Sequence, residues 1–431
     1  MYRLFLIAKN NIKKQKGDMI TFFIMTFITA LLMFDCASAF IGLGKVLDDR
    51  HEAINGADIL LFSFDTEAER ESARKAITGD SHIQAYEATP AFRFTTNYRK
   101  ASEEEFSDYE FYAEQIGTKK TIMNIKVPDA SYGKYDIFLP YNLKTKFEVG
   151  DVMQLKFFDD VYDMKVAGYI EDPFFCATVN ITAYSVQMTG EALEEFSDKY
   201  PEKVKRGWFH KGIADRESFE EGYDTGDLEA DIAGRYKESL AVYSEADPTK
   251  NYNDYLLANW DFMRGGSAFF PQIVMALVIV FAVIILVISL VIVSFSMKNF
   301  IRRNMKATGI LEASGYTVRE LRLTLTVQIT LVAAWGAALG VLVGALAFGS
   351  FGNIVSAVLG LSWNQPADIP VAVLTFAGIV GVMVLFSMRL SRAYRKFTVL
   401  DALRGGIGTH NYKKNFFPLD RTPLPVPAVL S

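Results

Sequence analysis

The sequence predicts a membrane α-helical protein of four transmembrane helices, with a large extracytoplasmic α+β domain between helices 1 and 2. Three observations carry this. No Asp, Glu, Lys or Arg occurs from Gly265 to Met297, from Leu323 to Ala367 or from Ile369 to Met388, runs of 33, 45 and 20 residues. A helix needs about 20 apolar residues to cross a bilayer. Mean hydropathy is positive, +0.14, although 22% of the 431 residues are charged, so the apolar residues are concentrated in segments. Finally, the charges are split: residues 45–264 hold 43 acidic and 26 basic side chains, and the rest of the chain holds 7 and 19. The bases of that remainder fall in Met1–Asp18, Lys298–Arg322 and Arg389–Ser431. Short basic loops beside membrane helices stay in the cytoplasm. All three therefore share one side, the acidic block takes the other, and the number of crossings is even.

Taken in order, Met1–Asp18 reads as a cytoplasmic amphipathic segment at the membrane surface. Leu4, Phe5, Ile7 and Ala8 stand among Arg3, Lys9, Lys13, Lys14 and Lys16. Gly17-Asp18 ends it, and residues 19–43 form the first transmembrane helix. Ala37-Ser38-Ala39 has the pattern of a signal-peptide cleavage site. An apolar stretch of about 25 residues exceeds the usual ~7–15 of a signal core, so the helix is read as retained. Cys36 is a poor lipoprotein acceptor, because Asp35 precedes it where a small residue is expected. Asp35 is the one ionisable residue within the spans. Near the outer interface it reads as a hydrated or hydrogen-bonded carboxylate rather than part of a proton pathway.

Residues 45–264 are too polar for more membrane and long enough for a core of their own. Glu67–Thr78 reads as a helix capped by Asp65 or Thr66 and stopped by Gly79. Ile137–Pro140, Val152–Phe157 and Met164–Ile170 read as strands, with a turn at Val149-Gly150-Asp151 and a stop at Glu171-Asp172-Pro173. Glu191–Tyr200 and Asp227–Leu240 read as exposed helices. Strand order is not legible. Cys176 is the single cysteine of this domain, so no disulfide forms within it, which suits a single-membrane bacterium. Tyr255, Trp260 and Phe262 lead into the membrane as an interfacial belt.

The remaining helices are expected at 268–297, 323–348 and 369–388. The first of these is about 45 Å long at ~1.5 Å per residue, against a hydrocarbon core of about 30 Å, so it tilts or projects as a stalk. The next carries Gly336, Gly340 and Gly344 on one face. Small residues at that spacing let another helix approach closely, within the bundle or between subunits. Ser350–Asp368 is an outer loop, and residues 389–431 are a cytoplasmic basic, proline-rich tail or linker.

Several chemistries are excluded. No GxxxxGK[ST] phosphate loop occurs, and Gly405-Gly406-Ile407-Gly408 reads as a flexible linker. His51, His82, His210 and His410 lack metal-ligand spacing and default to surface or satisfied histidines. No nucleophile elbow or kinase signature is present. Asn180-Ile181-Thr182 matches a glycosylation sequon by pattern only, and Glu103-Glu104-Glu105 reads as a solvated face. No catalytic, cofactor or metal residue, and no nucleic-acid partner, is expected.

The order of one span, a large outer domain and three spans joined by a basic inner loop resembles the FtsX/MacB-like permeases of ATP-binding-cassette (ABC) transporters. Three stretches carry the likeness. Tyr135–Phe175 is similar to the outer-domain pattern of strand, "GD", strand and "V-x-G". Ile301–Leu321 is similar to the inner loop R-x-x-E-I-G-x-L-K-A-x-G, matching at Gly309, Leu311, Ala313 and Gly315. Ala307 replaces the usual Glu there, and Glu312 the usual Lys. Phe397–Arg404 is similar to the closing "P-x-x-A-L-R" without its proline.

The resemblance implies a plasma-membrane permease subunit, dimeric and seated on a separate cytosolic ABC ATPase, with residues 45–264 as a MacB-like domain and 268–388 as an FtsX-like domain. It implies that Asn304–Tyr316 docks the ATPase, with Ile310 and Leu311 as anchors, Ala313 as a further apolar position, Arg302, Arg303 and Lys306 around them, and Gly309 and Gly315 bounding the segment. ATP-driven closure then moves the outer domain to export or extract a lipid, lipoprotein or peptide. The alternative is a mechanotransmitter that moves no cargo and switches a cell-wall hydrolase or sensor. The proline-rich end resembles the connector of long-form members, in which a second FtsX-like half completes a pseudo-dimer; a homodimer is the other arrangement.

Overall fold

A computed structural model describes residues 2–177, 182–246 and 254–392. The stretch Phe397–Arg404, the proline-rich end and part of the Asn180 sequon lie outside the described residues. In chain order the elements are α1 (Tyr2–Lys14), α2 (Lys16–Ala53), β1 (Ile59–Phe64), α3 (Glu67–Thr78), β2 (Ile83–Lys100), β3 (Ser107–Gln115) and β4 (Asp136–Pro140). There follow β5 (Val152–Phe157), β6 (Asp160–Ile170), β7 (Ala183–Met188), α4 (Gly190–Lys199), β8 (Val204–Ala214), α5 (Thr225–Ala246) and β9 (Leu256–Asn259). The last four are α6 (Trp260–Arg303), α7 (Met305–Ala313), α8 (Val318–Leu359) and α9 (Ile369–Leu390). α2, α6, α8 and α9 are long and apolar enough to cross a membrane.

The chain divides into two compact units. One comprises residues 1–30, 283–340 and 376–431; the other comprises 31–282 and 341–375. In the first, α2, α6, α8 and α9 share a core that includes Phe22, Met297, Ile329, Ala333 and Met383.

In the second unit the sheet runs β3-β7-β4-β6-β5-β2-β8-β1-β9, and β3 also pairs with β2. The extra pairing closes six strands into a ring. β2 makes this possible by its length of 18 residues. Its Ile83–Phe94 part pairs β8 and its Asn97–Lys100 part pairs β5, while Ala91–Tyr98 pairs β3. Phe94, Phe111, Phe157, Met164 and Val186 fill the ring, and Leu193 and Phe196 of α4 join the same core. β8, β1 and β9 extend the sheet, with α3 and α5 packed on it through Ile77, Leu228, Ile232 and Tyr236.

The helix read at Glu67–Thr78 has those bounds, with Thr66 as its cap accepting from the Glu69 N–H. α4 and α5, read above as exposed, are amphipathic instead. α5 buries Leu228, Ile232, Tyr236 and Leu240, a narrow four-residue stripe under a strongly charged face.

The apolar helices run past the charge-free stretches. α2 continues to Ala53 although Gly42 and Gly44 lie in it. Those glycines are places of close approach: a Cβ on Gly42 would lie 3.1 Å from the Trp363 ring, and one on Gly44 3.0 Å from the Arg264 guanidinium. Val46 and Leu47 beyond them are fully buried. Likewise α8 continues through Ser350–Leu359, expected above as loop, and stops at Gly360 with φ +78°. α9 opens with Asp368 accepting from the Val371 N–H at 3.1 Å and with Pro370 in its first turn.

The α8–α9 connection is knotted to its neighbours within the second unit. Glu171 accepts from the Ser362 N–H (3.1 Å) and hydroxyl (2.7 Å), and Arg50 of α2 pairs with the same carboxylate at 3.2 Å. A Cβ on Gly360 would overlap the Cys176 carbonyl. Trp363 packs into the gaps left by Gly42 and Gly352. Arg264 of α6 donates to Asp48 of α2. The end of β6, the far end of α2, the start of α6 and the α8–α9 connection are thereby one block.

Asp35, read above as hydrated or hydrogen-bonded, is 5% exposed. Its Oδ1 has no hydrogen-bond partner among the described residues. His210 is a satisfied core histidine. Its ring bonds Ser63 (3.0 Å) and Tyr86 (2.7 Å), and burial pulls its pKa down to about 3, so it is neutral at pH 7.

Candidate functional site

The site is the connection from α6 to α8. α6 ends on Arg302 and Arg303, where cations are favoured by the carbonyl end of a helix. Asn304 breaks the helix and restarts it. Its side-chain amide donates to the Phe300 carbonyl at 3.0 Å, and its carbonyl accepts from the Thr308 N–H at 2.9 Å. α7 then runs for 9 residues.

Two caps meet in four residues at its end. The Tyr316 N–H donates to the Leu311 carbonyl at 3.1 Å and the Gly315 N–H to the Glu312 carbonyl at 3.0 Å. This pair of bonds is the Schellman pattern, and it needs a left-handed residue, supplied by Gly315 at φ +97°. Immediately after, Thr317 opens α8 as a capping box. Its N–H donates to Glu320 Oε2 at 2.8 Å, and its hydroxyl accepts from the Glu320 N–H at 3.3 Å. The Thr317 N–H, then its hydroxyl, hold the Glu320 carboxyl below its usual range. The turn is therefore fixed by main-chain bonds on the α7 side and by a reciprocal side-chain box on the α8 side.

That fixed turn presents a specific surface. Ile310 is 60% exposed. Ala307, Ala313, Arg302 and Arg303 are exposed, Leu311 is half-buried, and Gly309 is buried. Lys306 lies in α7, with its side chain outside the described residues. Of the two apolar positions singled out in the sequence, Ile310 is the one available to a partner. Leu311 occupies the position of the Schellman turn that packs beside the residue after the glycine, here the half-buried Tyr316. Sequence reading did not identify the Thr317–Glu320 box, although T-x-x-E before an apolar run was the signal for it.

Gly336, Gly340 and Gly344 are buried on α8. A Cβ on Gly336 would sit 2.7 Å from Thr26 Oγ1 and 3.0 Å from the Phe23 carbonyl. In the other unit, one on Gly344 would sit 2.7 Å from Asp35 Oδ1. Both glycines thus face α2 of the same chain.

Residues 279–399 match the family model described as FtsX-like permease C-terminal. No curated protein matches the chain. The matched range takes in most of α6, the doubly capped turn, the glycine-faced α8 and α9, so this part of the chain carries an FtsX-like permease C-terminal domain, which supports a permease-type membrane protein.

Proposed function

We propose that this chain is the transmembrane subunit of an ABC transporter in the plasma membrane. In this reading a separate cytosolic ATPase docks on α7, and its movement is delivered to the α+β domain to export or extract a lipid, lipoprotein or peptide. One observation carries the reading. The junction of α7 and α8 is fixed by two adjoining caps, yet α7 holds Ile310 in the open. An exposed apolar side chain on a pre-organised helix suits protein docking, because little ordering remains to be done on binding. The knot of Arg50, Glu171 and Ser362 supplies the other end of the machine: motion at those helix ends reaches the sheet without slack. The subunit works as a pair, with a second copy or a second FtsX-like half. The direct test is purification of the full chain from its native membrane, in which a stoichiometric ATPase accompanies it; a chain that never brings one down is not such a subunit.

The same knot also serves the second reading, a mechanotransmitter switching a wall hydrolase or sensor. Deletion separates the two: loss of wall hydrolysis with export unchanged favours the switch.

Both readings require the basic segments inside and residues 45–264 outside, as the charge split supports. In intact cells an impermeant maleimide is expected to label Val242→Cys, 69% exposed, and to spare Ala307→Cys until the cells are opened. The native Cys36 and Cys176 are buried and free, and burial pushes the Cys176 thiol up to about 12, so they give no background. Labelling of Ala307→Cys from outside would defeat the topology.

A further inference from the structure

The sequence marks Met1–Asp18 as a segment lying on the membrane. In the first unit α1 does more: with α2 and α8 it encloses a groove of about 540 Å³, within the ~300–1,000 Å³ of ligand sites. The groove is mainly apolar, with a basic rim. Lys9, Lys13 and Lys16 line it together with Phe5 and Ile12, the bases recurring every three or four residues across the junction of α1 and α2. All three are exposed, and none has an ion-pair partner among the described residues. Asp18, the nearest acid in sequence, is held by Ser296 at 2.5 Å and lines a different groove, against α6. From Lys16 to Phe23 the helix advances about 10 Å, and the lining changes to Met19, Phe23, Val332 and the 65% exposed Trp335.

We propose that this groove binds one anionic phospholipid, with its headgroup on Lys9, Lys13 and Lys16 and an acyl chain along Met19, Phe23, Val332 and Trp335. The charge of the rim selects the anion. A soluble phosphate would leave the apolar lining uncovered, and a zwitterionic lipid would bring its own cation into the lysine cluster and leave its net charge unmatched. A bound lipid seals α1 to α2 and α8, so the acidic-lipid content of the membrane sets how firmly the N-terminal helix is held. The proposal rests on the chain spanning a membrane and is independent of any ATPase.

The test uses the full chain in phosphatidylcholine vesicles containing a small fraction of phosphatidylglycerol with brominated chains, which quench tryptophan on contact. The Trp335 signal is taken as the difference from Trp335→Phe. At about one power of ten or more in preference for three surface bases, quenching is expected roughly ten-fold above that given by the lipid's mole fraction. It should fall to the mole-fraction level in Lys9→Gln/Lys13→Gln/Lys16→Gln and persist when the same three are Arg. Brominated phosphatidylcholine should show no such excess. Quenching in the wild type that only follows mole fraction, or an excess that survives the Gln variant, overturns the site. The vesicles contain no ATPase and need no fixed orientation, so neither result bears on the docking reading.

Discussion

Ile310→Asp is expected to strip the ATPase from the purified chain while leaving the protein folded and in the membrane. Ile310 is 60% exposed, so a carboxylate there stays in water in the free subunit and costs the fold little. In the docked state the same carboxylate is buried without a partner and the apolar contact is lost. Losing one isoleucine-sized anchor costs about 1.5–3 kcal/mol, which is ten-fold or more in affinity, and the buried charge adds to it. Ile310→Val should retain the ATPase. Leu311→Asp is a poorer probe, because it strikes the Schellman turn and disturbs α7 itself. Retention of the ATPase at wild-type stoichiometry by Ile310→Asp would show that α7 is not the docking element.

Glu114→Gln is expected to destabilise the α+β domain by about 3–5 kcal/mol, the usual cost of removing one partner from a buried ion cluster. Glu114 accepts from Lys211 at 3.0 Å and from Thr89 at 3.1 Å, and pairs with Lys120 on its other oxygen. Lys211 is 1% exposed and Lys120 8%. The variant removes the carboxylate that is in ion-pair contact with both buried ammonium groups. Burial acts to raise the Glu114 pKa, but the two lysines more than reverse this and hold it at about 2, below its ordinary 4.5. A depressed carboxylate stabilises the fold above the unfolded value and loses that contribution as pH falls through the folded one. The unfolding midpoint of the wild type should therefore drop from about pH 4.5 towards pH 2, and the variant should lack this part of the dependence. A variant with wild-type stability at neutral pH would show that the cluster is not the cross-link described.

What was legible in the sequence was local. Thr66 announces α3 because a cap acts over three residues, and the spans follow from uninterrupted apolar runs. β2 was not legible: Pro90 lies inside it, opposite Trp208 of β8, and its 18 residues serve three partners with no constant alternation. The continuation of α2 past Gly42 depends on Trp363, 321 positions away, and no local pattern carries that. At the candidate site the glycines and apolar positions were visible as letters, but which of Ile310 and Leu311 faces outward is decided by the Schellman turn, a property of backbone geometry.

The pairing of β3 with β2 has a consequence for how anything meets this domain. A ring of strands has no free ladder edge, and open edges are what invite another chain to add as a strand. Beyond the ring the sheet ends on β9, four residues long. Among the described residues the sheet therefore offers another chain little continuous backbone template, and anything that binds this face is recognised through side chains and surface shape. Those can be rewritten residue by residue while the hydrogen-bonded frame beneath stays as it is.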